Sequence, residues 1–225
     1  MGKKILGIGM TQANVPKVMS GEKTQTRRII KNQPPEGVSI VGPELYAPIK
    51  IDKYGEEYPG DDILGVYDPG GEWGAKVNYR PGDVLYVKEA LKRCDSGNEK
   101  LRDLATYKID GRPMTAKDGQ IRFWESDDGK PWKNKVIPAR YMPRSAARTF
   151  IEITDVRCER VQDISVVDIE AEGCMLDALE YNANCDKTVA LQRRFKELWN
   201  DTNGQDAFER NGWVFAYTFK LVEGP

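Results

Sequence analysis

The segment that carries most of the information about this fold reads Gly21-Glu22-Lys23-Thr24-Gln25-Thr26-Arg27-Arg28. It is too polar for a core strand and too specific in composition for a linker. A lysine, several hydroxyl or amide side chains and two arginines are the groups that recognise an anion or a base edge. The whole chain contains no histidine. Acid–base chemistry here must therefore use lysine, carboxylate, cysteine or tyrosine.

The residues around this segment predict a short strand over 4–10, a helix that begins near Asn14 and ends at Gly21, and an extended stretch over 24–30. Thr26 and Arg28 then share one face of a strand, because side chains alternate with a period of two. Lys23 is three positions from Thr26 and would face the other way on a regular strand. We expect a turn at Gly21 to bring Lys23, Thr26 and Arg28 to one pocket. Three neighbouring side chains are expected to support it in part: Thr24, Arg27 and Ile30.

The rest of the chain predicts strands at 84–89, 105–109, 149–158 and 213–221, and helices after Ser165 and over 188–199. Asp168 lies three positions after Ser165, as in a partial capping box. The second of these helices is predicted to turn four apolar side chains inward: Val189, Phe195, Leu198 and Trp199. The sum is an α+β fold with five or six strands in a small barrel and helices packed at its openings. We expect one domain over 1–225, with loop insertions at about 33–78, containing one hairpin, and at about 95–130.

Composition places the chain among globular proteins, with 40% hydrophobic and 31% charged residues in 225. No apolar run is long enough for a bilayer or a signal peptide, so we expect a cytoplasmic protein that binds no membrane. The four cysteines form no CxxC pair and have no histidine to complete a zinc site. Reduced thiols, no metal and no cofactor are expected.

The net charge of −1 argues against general binding of polyanions. Acidic residues crowd the 52–68 region, but the window between Asp128 and Glu152 contains none. In that window, basic side chains alternate with Trp132, Tyr141 and Met142. This predicts a limited contact with nucleic acid, although a solvated basic face is an equal alternative. The candidate phosphate-binding residues are Lys133, Lys135, Arg140, Arg144 and Arg148.

Several segments in a fixed order resemble the ASCH superfamily, and in particular its phage- and prophage-encoded members. They are 21–28, Pro81-Gly82-Asp83 with the strand to Glu89, Met142-Pro143-Arg144-Ser145, Val161 to Ser165 with Ala171-Glu172-Gly173, and the last strand from Trp213. The superfamily has a fold similar to the PUA domain, a small RNA-binding barrel. The resemblance therefore implies a PUA-like barrel and a nucleoside or RNA as partner, with modified DNA as a further possibility.

The superfamily includes an amidohydrolase that acts on N4-acetylcytidine, and its Gly-x-Lys-x-x-Thr-x-Arg segment matches Gly21 to Arg28. This match implies Lys23 and Thr26 as catalytic residues, and Glu172 is the counterpart of its glutamate. From the residues themselves, Arg28 and Thr24 are expected to line the same pocket. A lysine amine that takes the threonine proton must be neutral, so its pKa would have to fall from ~10.4 to near 7.

Strand 84–89 adds three further substrate-binding candidates, namely Tyr86, Lys88 and Glu89, of which the last two could instead form an exposed ion pair at the strand end. Three functions are open at this point. They are hydrolysis of an N-acylated nucleoside such as N4-acetylcytidine, RNA or modified-base binding without catalysis, and ribonuclease activity. The absence of histidine weakens the third, because no imidazole can serve as acid or base.

Overall fold

The structure is a computed structural model, which describes residues 5–93, 105–110, 115–116, 119–120, 136–176 and 186–224. The fold is α+β and consists mostly of strands, as predicted. Within those ranges, no helix combines the length and the apolar character that crossing a bilayer requires.

Among the described residues, fifteen strands and three α-helices follow one another, against the five or six strands and three helices predicted. The strands are β1 (Leu6–Gly9), β2 (Gln25–Ile29), β3 (Val41–Tyr46), β4 (Ile49–Ile51), β5 (Glu57–Pro59), β6 (Ile63–Tyr67), β7 (Gly74–Lys76), β8 (Val84–Lys88), β9 (Leu91–Arg93), β10 (Ala105–Tyr107), β11 (Thr115–Ala116), β12 (Gly119–Gln120), β13 (Val136–Ile137), β14 (Phe150–Arg160) and β15 (Trp213–Val222). The helices are α1 (Asn14–Ser20), α2 (Val166–Ala171) and α3 (Lys187–Asn203), with short 3-10 helices at Ala139–Tyr141, Arg144–Ala146 and Val161–Asp163.

The chain divides into two compact units. The first unit is built from residues 1–21, 84–152 and 220–225, and the second from 22–83 and 153–219. In the first unit, β1 runs parallel to β8, and the start of β14 pairs antiparallel with β8, with Ile151 opposite Leu85. A small sheet in the order β10-β9-β13 covers a core formed by five side chains: Leu91, Tyr107, Ile137, Met142 and Ala146.

A buried ion pair ties the first unit together. The Arg148 guanidinium donates to both carboxylate oxygens of Glu89, at 2.9 and 2.6 Å, and to Asp110 at 2.6 Å. The same guanidinium lies 3.7 Å from the centroid of the Tyr107 ring, whose hydroxyl donates to the Ala146 carbonyl. The Glu89 side chain is 0% exposed, so its charge is compensated by Arg148 and not by water.

In the second unit, the strand order is β14-β15-β2. Strand β2 pairs antiparallel with β15, which places Gln25 opposite Thr218 and Thr26 opposite Tyr217. Helices α2 and α3 pack against one another over an apolar cluster: Val161, Ile164, Ile169, Cys174, Leu191, Phe195, Trp199, Ala207 and Val214. The side of the sheet that carries Val214 is therefore the side that the helices cover.

Residues 33–78 were predicted as a loop with one hairpin, and the structure instead contains five short strands there. Strands β3, β6 and β7 form a sheet in the order β3-β6-β7, and β4 pairs with β5. Most of these side chains are exposed, including Ile49 and Ile51, so most of these strands lack the buried face on which a sequence-based strand prediction relies. The second predicted insertion, 95–130, lies largely outside the described residues.

Local signals in the sequence locate the helix ends. Helix α1 ends at Gly21, which has the left-handed φ of 80° that glycine tolerates best. Ser165 caps α2, with its hydroxyl accepting a hydrogen bond from the Asp168 amide at 3.1 Å. The inward face predicted for α3 was partly wrong: Val189 is 57% and Leu198 37% exposed. Ala190 and Leu191 are buried there instead, beside Phe195 and Trp199.

Candidate functional site

The backbone of β2 sorts the predicted site residues onto two faces of the second unit. Gln25 and Arg27 share one face, and both contact helix α2 through Asp168 and Glu172. Thr24 continues the extended backbone of β2 toward the N-terminus, because its carbonyl accepts a hydrogen bond from the Phe219 amide of β15 at 2.8 Å. Lys23 therefore reaches the same face as Gln25 and Arg27.

Lys23 and Glu172 are brought together. The Lys23 amine donates to the Glu172 carboxylate at 2.5 Å and to the Glu172 backbone carbonyl at 2.8 Å. The lysine side chain is 2% exposed and that of the glutamate 11%. A carboxylate this close favours the charged form of an amine. The pair is thus an ion pair in which Lys23 donates and Glu172 accepts, and Lys23 also caps a carbonyl at the end of α2.

Arg27 adds a second cation beside the same carboxylate. Its side chain is 0% exposed, and its guanidinium lies 3.2 Å from the other Glu172 oxygen. It also donates to Glu159 on β14, at 2.9 and 2.6 Å, and to the Gln25 side chain at 2.5 Å. Strands β2 and β14 and helix α2 therefore all contribute to one polar network.

Asp168 lies at the rim of this network. Its carboxylate accepts from Gln25 at 2.9 Å and from Arg157 at 3.1 Å through each oxygen. Burial alone would raise the pKa of Asp168, but the hydrogen bonds from Gln25, Arg157 and Ser165 and the charge of Arg157 lower it below the ordinary value. Asp168 is therefore held as a carboxylate.

The charges in the network balance. Three cations and three carboxylates give a sum of zero: Lys23, Arg27 and Arg157 against Glu159, Asp168 and Glu172. Apart from Arg157, which is 43% exposed, these side chains are 17% exposed or less. Paired charges of this kind can exchange a proton without leaving an isolated charge in a poorly hydrated site.

Thr26 and Arg28 lie on the opposite face of β2, in agreement with the predicted sharing of one face. Thr26 is buried, and its strand partner Tyr217 is 0% exposed. Burial raises the pKa of Tyr217 to about 12, and that of Tyr79 is raised for the same reason while the Arg28 charge opposes the rise. Lys23 with Glu172, and Thr26 with Arg28, thus form two groups separated by the strand itself.

Thr24 contributes its backbone to the connection between strand and helix. Its amide donates to the Ala171 carbonyl at 2.8 Å, while its carbonyl accepts from β15. The approach of Thr24 to Ala171, the last residue of α2, carries Lys23 to Glu172. A substrate-binding role for the Thr24 side chain stays a prediction.

The candidates on β8 lie in the first unit. Tyr86 is 9% exposed, and the Lys88 amine lies 5.7 Å from the centroid of its ring and donates to the Arg140 carbonyl at 3.2 Å. Glu89 is paired with Arg148 inside the unit. Lys88 and Glu89 therefore do not pair with each other at a strand end, and their roles toward a substrate stay predictions.

The arginines of the predicted basic segment also differ in their surroundings. Arg140 and Arg144 are exposed on consecutive 3-10 helices, and the Arg140 guanidinium lies 4.7 Å from the centroid of the exposed Tyr141 ring. Arg148 instead directs its guanidinium toward Glu89 and Asp110. The predicted contacts of Lys133 and Lys135 lie outside the described residues.

Among the described residues, the candidate site contains neither a thiol nor a metal-binding cluster. Cys158 and Cys174 are free, and burial raises the pKa of the Cys158 thiol to about 12, which leaves it protonated at neutral pH. Cys94 and Cys185 lie outside the described residues. The ranges that the structure describes contain no group of three side chains able to hold a metal ion.

A cavity of about 500 Å³ lies elsewhere in the second unit. Its lining comes from α3, which contributes Phe195, and from two segments outside that helix, which contribute Ile164 and Phe208. None of the predicted catalytic residues lines it, so this cavity is not the predicted catalytic pocket.

The sequence-based prediction missed most of the network around Arg27. Asp168 was recognised only as the partner of Ser165 in a partial capping box, Arg157 only as part of a strand, and Glu159 was not singled out. Two signals could have revealed them. Gln25 and Arg27 continue the period of two that begins at Lys23, and Arg157 and Glu159 are charged residues two apart, which places them on one face of their strand.

Comparison with known proteins adds no assignment to this geometry. No family model matches the chain, and no curated protein or solved structure matches it significantly.

Proposed function

We propose that this protein hydrolyses an N-acylated nucleoside such as N4-acetylcytidine, with Lys23 and Glu172 as its acid–base pair. The observation that carries the proposal is the 2.5 Å contact between two side chains 149 residues apart in sequence. Both residues are implied as catalytic by the resemblance to the ASCH superfamily. Membership of that superfamily, a PUA-like barrel and a cytoplasmic location are parts of the same proposal.

The chemistry follows from the charges of the pair. Glu172 accepts a proton from an attacking water, whose oxygen bonds to the acyl carbon. The Lys23 ammonium hydrogen-bonds to the developing oxyanion and then protonates the leaving exocyclic nitrogen. The amide C–N bond breaks, and the products are the free acid and the nucleoside. The proton that Glu172 gained returns to the Lys23 amine, which restores the starting charges.

The sequence-based expectation made the Lys23 amine the base, whereas this proposal gives that role to the Glu172 carboxylate. An amine in an ion pair is a proton donor, so the carboxylate takes the role of base. The Glu172 side chain is 11% exposed against 2% for Lys23, which makes the carboxylate the more accessible of the two. Thr26 lies on the opposite face of β2, so the attack is assigned to water. Attack by the Thr26 hydroxyl is the alternative.

The proposal is tested by incubating the purified chain with N4-acetylcytidine at pH 7 and measuring cytidine and acetate by chromatography. Lys23→Met and Glu172→Gln are each expected to lower kcat by about 10²–10⁴-fold, the usual contribution of a general acid or base. Thr26→Ala retains activity if water attacks and loses it if the hydroxyl does. Full activity of Glu172→Gln would refute the assigned base.

Lys187→Met is the matched control. Lys187, at the start of α3, pairs with Glu170 of helix α2 at 2.7 Å. The Lys187 side chain is 57% exposed. An exposed pair contributes little to stability, so this variant should stay within about twofold of the wild type. Equal losses in Lys187→Met and Lys23→Met would indicate damage to α2 and not loss of a catalytic group.

RNA or modified-base binding without catalysis is the second candidate. It is favoured by the exposed stack of Arg140 on Tyr141, with Arg144 exposed on the next 3-10 helix. An exposed aromatic ring with an arginine beside it suits base stacking and phosphate contact. Single-stranded RNA added to the same assay distinguishes the outcomes, which are cytidine release, shortened RNA, or binding alone. Binding through these arginines must weaken as salt is raised.

A further inference from the structure

Arg27 has the most extensive set of polar contacts in the network. Its side chain is 0% exposed. The guanidinium donates to Glu159 through Nε and Nη2, at 2.9 and 2.6 Å, and to the Gln25 amide oxygen through Nη1 at 2.5 Å. Nη1 also reaches Glu172 at 3.2 Å, and Nη2 lies 3.3 Å from Asp168.

The two oxygens of Glu172 are divided between two cations. Oε2 accepts from Lys23 at 2.5 Å, and Oε1 accepts from Arg27 at 3.2 Å. A carboxylate held at both oxygens cannot rotate about its last torsion without losing one contact. The guanidinium is itself fixed, because Glu159 and Gln25 bind its other edges.

We propose that Arg27 is a positioning residue, which fixes the carboxylate plane of Glu172 so that one oxygen faces the Lys23 amine. This inference rests on the proposed function, in which Glu172 is the base. Arg27 acts through Glu172 and bonds to no reacting atom. Lysine could not replace it, because an ammonium is a single point charge and lacks the planar fork that spans Glu159 and Glu172 at once.

A buried arginine could instead serve only to link β2 to β14 and α2. A purely structural role and a positioning role give different results. A loss of structure lowers the fraction of folded enzyme, which reduces the apparent kcat only in proportion to that fraction and leaves kcat per folded molecule unchanged. A loss of positioning lowers kcat with KM nearly unchanged, because substrate binding survives while transition-state stabilisation does not.

The experiment compares the wild type with Arg27→Lys and with Ile169→Val. Ile169 is 0% exposed and belongs to α2, so Ile169→Val loosens the packing of the same helix without touching the network. Arg27→Lys is expected to lower kcat by about tenfold or more, with KM within about twofold. Circular dichroism gives the folded fraction of each variant, so that kcat is expressed per folded molecule. Ile169→Val should leave this kcat within about twofold of the wild type.

A second measurement does not depend on activity. The Lys23 ammonium is followed by ¹⁵N NMR of the lysine side chains, assigned by its absence in Lys23→Met. In the wild type, its protons should exchange slowly with water, because the amine is 2% exposed and hydrogen-bonded to Glu172. Arg27→Lys should speed that exchange by about tenfold or more as the carboxylate is released, and Ile169→Val should not.

The outcomes separate the two proposals. If Arg27→Lys does not speed the ammonium exchange, the positioning role is overturned, whatever the activity of the wild type. If Ile169→Val produces the same changes as Arg27→Lys, the role is overturned as structural. If the wild type hydrolyses no N4-acetylcytidine but the exchange rises only in Arg27→Lys, the proposed function fails and the control of Glu172 by Arg27 stands.

Discussion

Replacing Arg148 by methionine should destabilise the protein strongly, because Glu89 would lose the only cation bonded to both of its oxygens among the described residues. The Glu89 side chain is 0% exposed, so water cannot take the place of the guanidinium. Removing one partner of a buried ion pair costs about 3–5 kcal/mol. Loss of the contact between Arg148 and the Tyr107 ring, at 3.7 Å, adds about 1 kcal/mol. Such a loss is a large share of a typical stability of about 5–15 kcal/mol.

The measurement is urea unfolding of Arg148→Met followed by far-UV circular dichroism. The double variant Arg148→Met with Glu89→Leu should recover most of the loss, since an apolar pair of similar volume replaces the ions. Arg140→Met, at an exposed arginine, should cost less than about 0.5 kcal/mol.

Two results would refute this reasoning. The first is a loss for Arg148→Met no greater than that for Arg140→Met. The second is a marked loss of RNA binding in Arg148→Met at unchanged stability. The latter would show that the Arg148 guanidinium serves a phosphate, as the basic segment suggested, and that its contact with Glu89 contributes little.

Three smaller predictions concern Asp168, Ser165 and Gly21. Asp168→Asn should remove part of the loss of stability in acid. The lowered pKa of Asp168 contributes stability that is present above the pKa of the unfolded chain and is lost as the pH falls through the pKa of the folded protein. Urea unfolding of both proteins at pH 7 and pH 3 checks this. Ser165→Ala should cost about 1 kcal/mol in urea unfolding by removing the cap of α2, and an unchanged midpoint would contradict the cap. Gly21→Ala should lower Tm by a few degrees, corresponding to about 1 kcal/mol, since φ at Gly21 is 80°. Gly9→Ala is the control, because the added carbon has open space around it, and it should cost less.

Much of the fold was predictable because it depends on local chemistry. The stop at Gly21, the cap at Ser165 and the strands over 84–88, 150–160 and 213–222 all follow from turn residues, caps and β-rich composition. The inward face of α3 was misjudged, since Val189 and Leu198 are apolar yet exposed. Which apolar side chains a helix buries depends on where its neighbours lie, and the sequence does not specify that.

The candidate site was predictable only in part. The resemblance implied Lys23 from the 21–28 segment and Glu172 from the helix after Ser165, and the structure places these two in contact. The pocket shared by Lys23 and Thr26 needed a bend in the backbone, but the chain is already extended at Thr24, so alternation separates the two side chains. The role of Arg27 as the centre of the network could not be inferred, because its partners are 132 and 145 residues away in sequence.

Those long separations have a kinetic consequence. Closing a loop of 149 residues between Lys23 and Glu172 costs about 4 kcal/mol of chain entropy, before any contact repays it. Contacts between such distant residues are slow to form, so the ion pair should appear among the later events of refolding. Recovery of Lys23 ammonium protection after dilution from urea would then report the completion of folding, while α1, whose hydrogen bonds are local, should form much earlier.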